Sequence, residues 1–212
     1  MIKIENIRTY GWEEAIRGMR NPMNSWQNSD SDFSDPEHYE IGTNDLKLMR
    51  KLAEGGPVHG KYLRMITVYM DITAPLYWWK EFDTYKVGTV ANSCSTMHKI
   101  HAKEFVLEDF SHEHLGPSAL QVLDETISEL NYHRNQFIDT KDKVFWWQMI
   151  QLLPSSYNQK RTVMLNYEVI RGMLAYRSDH KLDEWRTFCE TMKDRLPYLF
   201  DLIYKEDKNN DH

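Results

Sequence analysis

Cysteine is almost absent from this chain: only Cys94 and Cys189 occur among 212 residues. Two distant cysteines argue against a disulfide framework and fit a reduced, cytoplasmic setting. No run of ~18 apolar residues exists, so no transmembrane helix and no membrane partner are expected. The opening residues, Met1-Ile2-Lys3-Ile4-Glu5, alternate like a strand and lack a signal-peptide core. No Gly-x-Gly-x-x-Gly and no Walker loop occurs, so neither a Rossmann nor a P-loop reading is supported. Positive charge is not in excess either. Lys and Arg number 26 against 32 Asp and Glu, a net charge of −6. A mildly acidic chain argues against a general nucleic-acid binder, because phosphate contacts favour a basic face. A pocket for one small nucleotide needs only a few local cations and remains open.

What is present is apolar and aromatic. Hydrophobic residues make up 41%, enough for a sizeable core in one large domain. Seven Trp and twelve Tyr supply core and subunit contacts, or a stacking surface for a flat ring.

The pattern along the chain alternates between strand and helix periods. Residues 2–9 read as a strand, and Trp12 to Met19 as a helix with Trp12, Ala15, Ile16 and Met19 on one face. Asn21 to Thr43, rich in Asn, Ser, Asp and Pro, reads as a long surface loop. A helix follows to about Glu54 and stops at Gly55-Gly56-Pro57. Tyr62 to Thr73 alternates like a strand, and Pro75 opens an aromatic helix through Phe82. A polar segment runs from Asp83 to about Met97. Residues 117–136 form an amphipathic helix, and Thr140 to Leu152 a second. Gln159 to Leu165 is strand-like, Asn166 to Tyr176 and Lys181 to Arg195 are helical, and Pro197 restarts a last short helix. Neither a repeat nor an internal linker interrupts this order, so a single α+β domain is expected over residues 1–204, with a charged tail at 205–212.

Two histidine pairs, His98 with His101 and His112 with His114, have spacings that zinc can use. They would serve a metal-dependent hydrolase, but neither a Cys pair nor a His-Glu-x-x-His accompanies them, so no metal site is expected. Cys94 beside Ser95 is not by itself a nucleophilic motif.

A longer pattern carries more. His59 opens the run that ends in Ala74-Pro75. The aromatic helix leads to Thr84-Tyr85-Lys86, and then to Asn92-Ser93-Cys94-Ser95-Thr96-Met97. Further on come Leu153-Pro154-Ser155-Ser156-Tyr157-Asn158-Gln159, Asn166, and Arg177 eleven residues later. Glu184-Trp185-Arg186 and Leu196-Pro197-Tyr198 close the series. In order and spacing this resembles the flavin-dependent thymidylate synthases along nearly the whole chain.

The resemblance implies an α+β fold with a mixed sheet and long helices, assembling as a homotetramer. It implies flavin adenine dinucleotide (FAD) as cofactor, with NADPH and methylenetetrahydrofolate if the family reaction is retained, and dUMP as the nucleotide that is methylated. It assigns Thr84, Tyr85, Lys86, Asn166 and His59 to the flavin, and Glu81, Asn92, Ser93, Ser95 and Arg177 to the substrate. Arg177 orients or polarises the base in that assignment. The residues themselves leave alternatives. Arg177 also suits the C-terminal end of a helix, Ser95 a turn or cap, Lys86 plain solvent, and Tyr85 ordinary packing.

The chain departs from the family pattern where charge matters most. Thr84-Tyr85-Lys86 stands for Arg-His-Arg, Ser93 for a Glu and Met97 for an Arg. Arg64-Met65 stands for Glu-His, Glu168 for an Arg, and Ile150 falls near another Arg. A phosphate is best held by guanidinium forks, which lysine replaces only in part. Lys80, Arg64, Lys160 and Arg161 lie nearby in sequence as replacements. Two readings follow: a divergent enzyme of this type, or a non-catalytic homologue whose scaffold binds another anionic ligand or a protein partner.

Overall fold

The computed structural model describes residues 2–35 and 39–203. The charged tail expected at 205–212 lies outside the described residues. Among the described residues there are four strands: β1 (Lys3–Tyr10), β2 (Thr67–Pro75), β3 (Val90–Ser93) and β4 (Asn158–Asn166). They hydrogen-bond in the order β1-β2-β4-β3, leaving β1 and β3 at the edges. Leu76 N–H donates to the Tyr157 carbonyl, and Tyr167 N–H donates to the Ile66 carbonyl. One strand rises as the other falls, so β2 and β4 are antiparallel.

Nine helices flank these strands among the described residues: α1 (Trp12–Arg20), α2 (Thr43–Glu54), α3 (Leu76–Phe82), α4 (Thr96–Lys99), α5 (Pro117–Thr140), α6 (Lys143–Leu152), α7 (Tyr167–Arg177), α8 (Asp183–Arg195) and α9 (Leu199–Ile203). The mixture of sheet and long helices is the expected α+β class. The chain forms two compact units. The first takes residues 2–5, 71–85 and 91–162; the second takes 6–70, 86–90 and 163–203.

In the first unit, Ile100, Phe105, Phe110, Leu123, Ile127, Leu130 and Met149 form one buried cluster. Helix α5 contributes Leu123, Ile127 and Leu130 at spacings of four and three, the period of one helix face. Asp142 caps α6, its carboxylate accepting from Val144 N–H at 3.0 Å. The α3 pair Trp78 and Trp79 is buried with Phe82, edge to face at 4.9 Å. Core packing, rather than a stacking surface, accounts for both tryptophans.

In the second unit the segment from Tyr62 to Met65, expected as strand, is instead a single tight turn spanning Gly60–Arg64. Tyr62 and Leu63 are both buried in succession. A strand would turn one of them outward, whereas the turn lets both point inward. Tyr62 Oη then donates to the Met49 carbonyl at 2.8 Å. Beyond it β2 alternates as expected, with Val68, Met70, Ile72 and Ala74 buried.

The segment expected as a surface loop from Asn21 to Thr43 is, in its described part, tied down by a buried ion pair. Arg20 Nε donates to the Asp45 carboxylate at 2.7 Å. That carboxylate also accepts from Ser29 and Ser31 hydroxyls, each at 2.7 Å, and from the Asp30 and Ser31 N–H groups. Arg20 reaches on to the Ser25 and Asn28 carbonyls. Gly42 completes the tie, since a Cβ there would stand 2.3 Å from the Asp30 carboxyl.

Candidate functional site

The first unit contains a cavity of about 600 Å³. Its walls come from four places in the chain: Lys3 on β1, the 94–103 segment around α4, Glu108 with Asp109, and Tyr157 to Lys160 at the start of β4. The two polar stretches that carry the family resemblance therefore meet here. A set of backbone and amide bonds holds them. Cys94 N–H donates to the Lys160 carbonyl at 2.9 Å. Gln159 Nε2 donates back to the Cys94 carbonyl at 2.8 Å. Buried Trp79 donates through Nε1 to the Gln159 carbonyl at 2.9 Å.

Four lysines line this cavity: Lys3, Lys99, Lys103 and Lys160. Three have carboxylate partners. Lys3 pairs with Glu5 at 2.8 Å, Lys160 with Asp71 at 3.3 Å, and Lys103 with Asp109. Lys99 is exposed and has no ion pair among the described residues. Ser95 caps α4, its Oγ accepting from the Met97 and His98 N–H groups. Tyr157 is half-buried, with Phe105 and Phe110 against its ring. Burial pushes its phenol above the ordinary value, and the charges of Asp109 and Cys94 add to the shift.

The second unit holds a cavity of about 870 Å³ between α1, α2 and the 58–65 turn. Met19, Pro22, Met23, Leu48, Leu52 and Tyr62 make it largely apolar. His59, Lys61 and Arg64 give it a basic edge, and none of the three has an ion pair among the described residues. Gly55 leaves room for the His59 ring, since a Cβ there would stand 3.1 Å from it. Arg64 and Met65, which the resemblance sets against Glu-His, both line this cavity.

Of the residues the resemblance assigned, Ser95 alone lines the lysine cavity and His59 alone lines the apolar one. Asn92 and Ser93 lie exposed on β3, at the sheet edge. Glu81 and Thr84 close α3, where the Thr84 hydroxyl donates to the Glu81 carbonyl at 2.7 Å. Tyr85 is half-buried just beyond it. Lys86 is exposed in the second unit and has no ion pair among the described residues. Asn166 is buried and caps α7, its Oδ1 accepting from Val169 N–H at 3.0 Å. Arg177 ends α7 with its guanidinium 5.0 Å over the Trp185 ring. It belongs to the second unit and Ser95 to the first.

Two of the candidate replacement cations find a cavity and two do not. Lys160 lines one cavity and Arg64 the other. Arg161 is held by Gln159 at 2.9 Å and Asp83 at 2.7 Å while stacked 4.2 Å over Trp79. Lys80 is exposed and lines neither. Sequence reasoning missed Lys3, Lys99, Lys103 and Asn158. The lysine pair at 99 and 103, just after Ser95-Thr96, was the one local signal available.

Among the described residues, no group of three or more His, Cys, Asp and Glu is placed to hold a metal ion. His101 packs edge-on to Phe137 at 4.9 Å, and His112 Nδ1 lies 2.8 Å from the Phe110 carbonyl. No described helix is long and apolar enough to cross a membrane.

No family model matches the chain, and no curated protein matches it by sequence. Solved structures do match. The fold is that of the flavin-dependent thymidylate synthases. One match is thymidylate synthase X of Helicobacter pylori, solved with FAD and dUMP. It is 15% identical over 96% of this chain and 97% of that one, with a TM-score of 0.67. A second structure of the flavin-dependent enzyme from that organism, complexed with FAD and dUMP, is 16% identical over 95% and 97%, with a TM-score of 0.66. The UMP/dUMP methylase PolB of Streptomyces cacaoi, solved with 5-Br UMP, is 11% identical over 92% and 88%, with a TM-score of 0.60.

Proposed function

We propose that this chain is a divergent flavin-dependent thymidylate synthase-like enzyme. It binds FAD and a pyrimidine nucleotide such as dUMP and catalyses one-carbon (methyl) transfer to the nucleotide. The observation that carries this reading is the likeness, over nearly the whole of both chains, to structures holding FAD and dUMP and to a UMP/dUMP methylase. Two free cysteines, one exposed and one buried, suit the cytoplasm. Assembly as a homotetramer fits the exposed apolar side chains of α5 and α6.

The residues fit FAD in part. The apolar cavity, at about 870 Å³, has room for a flat ring system, and its basic edge suits phosphate oxygens. His59, Lys61 and Arg64 are the cationic side chains on that edge with polar atoms to offer. When bound, the flavin supplies hydride chemistry, with NADPH and methylenetetrahydrofolate as co-substrates in the full family reaction. The chain's own contribution is to orient the ring and keep water from it.

A second reading has its own support. The Thr84 hydroxyl and Asn166 Oδ1 are engaged with the protein's own backbone. Two of the assigned flavin contacts are thus occupied, which favours a non-catalytic homologue binding another anionic ligand or a protein partner. The visible absorption spectrum separates the two readings. It is recorded on purified protein before and after adding excess FAD and desalting. Retained flavin near one per chain, with dUMP raising the melting temperature, is the expected result. A colourless protein that never retains flavin overturns the enzyme reading in favour of the second.

A further inference from the structure

We propose that Trp146, Asn131 and Arg134 are positioning residues for the cavity in the first unit. The three are not among the residues that line it. They clasp the 97–105 segment from α5 and α6, and so fix where the cavity wall around α4 stands. The clasp is argued from its own residues; only the ligand used to read its effect, dUMP, rests on the function proposed above.

The wall has little means of holding itself. The stretch from Ser95 to Phe110 is built from the four-residue α4, one tight turn at Leu107–Asp109 and irregular chain. Helices this short are unstable without outside contacts. By contrast, α5 and α6 form a platform of 24 and 10 residues joined by Lys141 and Asp142. From that platform, side chains reach three carbonyls of the wall at four-residue intervals. Trp146 Nε1 donates to the Met97 carbonyl at 3.1 Å, Arg134 Nε to the His101 carbonyl at 3.1 Å, and Asn131 Nδ2 to the Phe105 carbonyl at 2.8 Å. Asn131 Oδ1 also accepts from the Phe105 N–H at 2.8 Å. The amide thus satisfies both backbone groups of a residue only 3% exposed, as a neighbouring strand would.

The held carbonyls alternate with side chains that face the cavity. Lys99 and Ile100 lie between the carbonyls of 97 and 101, and Lys103 between those of 101 and 105; all three line the cavity. Ile100 also belongs to the buried cluster with Leu123, Ile127 and Leu130 of α5 and Met149 of α6. One side of the wall is therefore committed to the platform and the other to the cavity. Trp146 packs against the same cluster, which fixes the ring that carries its donor. The Met97 and His98 N–H groups donate to Ser95 Oγ, so the grip on Met97 extends to the turn at Ser95, itself in the cavity lining.

Hydrogen exchange of the full chain, resolved by residue, tests the clasp without a ligand. The variants are Trp146→Phe, Arg134→Met, the two combined, Arg134→Lys as the conservative replacement, and Gln148→Ala as a control at an exposed α6 position. Trp146→Phe keeps an aromatic ring against the cluster and Arg134→Met keeps the apolar stem, so each removes a donor and leaves the fold intact. The expected result is exchange at the Met97 and His98 amides about two- to tenfold faster in each single variant, and faster again in the combined one. Arg134→Lys stays near the parent, Gln148→Ala matches it, and the β2 amides exchange at the parent rate in every variant. Calorimetric titration with dUMP is expected to show binding weakened about two- to tenfold by Trp146→Phe, at a position that does not line the cavity. Parent rates at Met97 and His98 in both single variants overturn the clasp, and so does an equal acceleration in β2, which reports global loss of stability instead. Faster exchange at Met97 and His98 with dUMP binding unchanged from the parent also overturns it, because the wall would then move without consequence for the cavity. Faster local exchange in a chain that takes up neither dUMP nor FAD supports the clasp and rejects the function proposed above.

Discussion

Asp45 accepts hydrogen bonds from Arg20, Ser29, Asp30 and Ser31, although it lies in neither cavity lining. Its side chain and that of Arg20 are 0% and 5% exposed, so each depends on the other for charge balance. Removing one partner strands a buried charge, which costs about 3–5 kcal/mol. Asp45→Asn is expected to lose stability of that order in urea denaturation at neutral pH. Burial alone raises the Asp45 pKa, but the hydrogen bonds from Ser29, Ser31 and Arg20 outweigh it and hold the carboxyl below 3.8. The folded value lies below the unfolded one. As pH falls, the unfolded chain therefore takes up the proton first, and the stabilisation present above 3.8 is lost below it. The stability gap between the parent and Asp45→Asn should narrow on acidification through this range. A gap that stays constant would show that the carboxylate charge is not what ties the loop. The consequence reaches the apolar cavity, because Asn21, Pro22, Met23 and Ser25 on that loop form part of its wall.

At the scale of the element, α7 shows how a residue assigned to the flavin by resemblance can have a local role. Asn166 caps the helix, and Gly88, at φ +75°, passes so close that a Cβ there would stand 2.7 Å from Asn166 Nδ2. Replacing an N-cap Asn by Ala costs about 1 kcal/mol, while Ser preserves the cap. Asn166→Ala is expected to lower stability by that amount and Asn166→Ser hardly at all, as read by thermal denaturation. Flavin retention by Asn166→Ser then decides whether the amide has a second role: loss of flavin without loss of stability assigns it one. Elements with strong periodicity were legible from the residues alone. The alternation of Val68, Met70 and Ile72 and the spacing of Leu123, Ile127 and Leu130 are local facts, and both segments adopt the expected form. The turn over 60–64 was not legible, because only the core around Met49 makes it favourable to bury Tyr62 and Leu63 together. Nor was the lysine cavity. Lys3 and Lys160 are far apart in sequence, and pairing of β1, β2 and β4 is what brings their strands into one sheet.

At the scale of the whole molecule, the fold persists at 15% identity because it asks mainly for apolar residues at the right period. Exposed positions are under no such demand, so the scaffold does not dictate residues such as Thr84, Ser93 and Met97. Assembly is a separate question, and the surface speaks to it. Among exposed apolar residues, Val122 is 60% exposed and Tyr132 53% on α5, while Val144 is 49% and Trp147 50% on α6. Large side chains such as Trp147 are costly to leave in water and are enriched where proteins meet. If these helices form contacts between copies, a charge at Trp147 places an unpaired carboxylate in an apolar contact, with a penalty large against most interface energies. Trp147→Glu is therefore expected to lower the mass seen by sedimentation velocity while circular dichroism stays unchanged, because half of the side chain already faces solvent. An unchanged mass for the variant would remove α6 from the assembly contact, and a parent chain that sediments as a monomer would remove the homotetramer altogether.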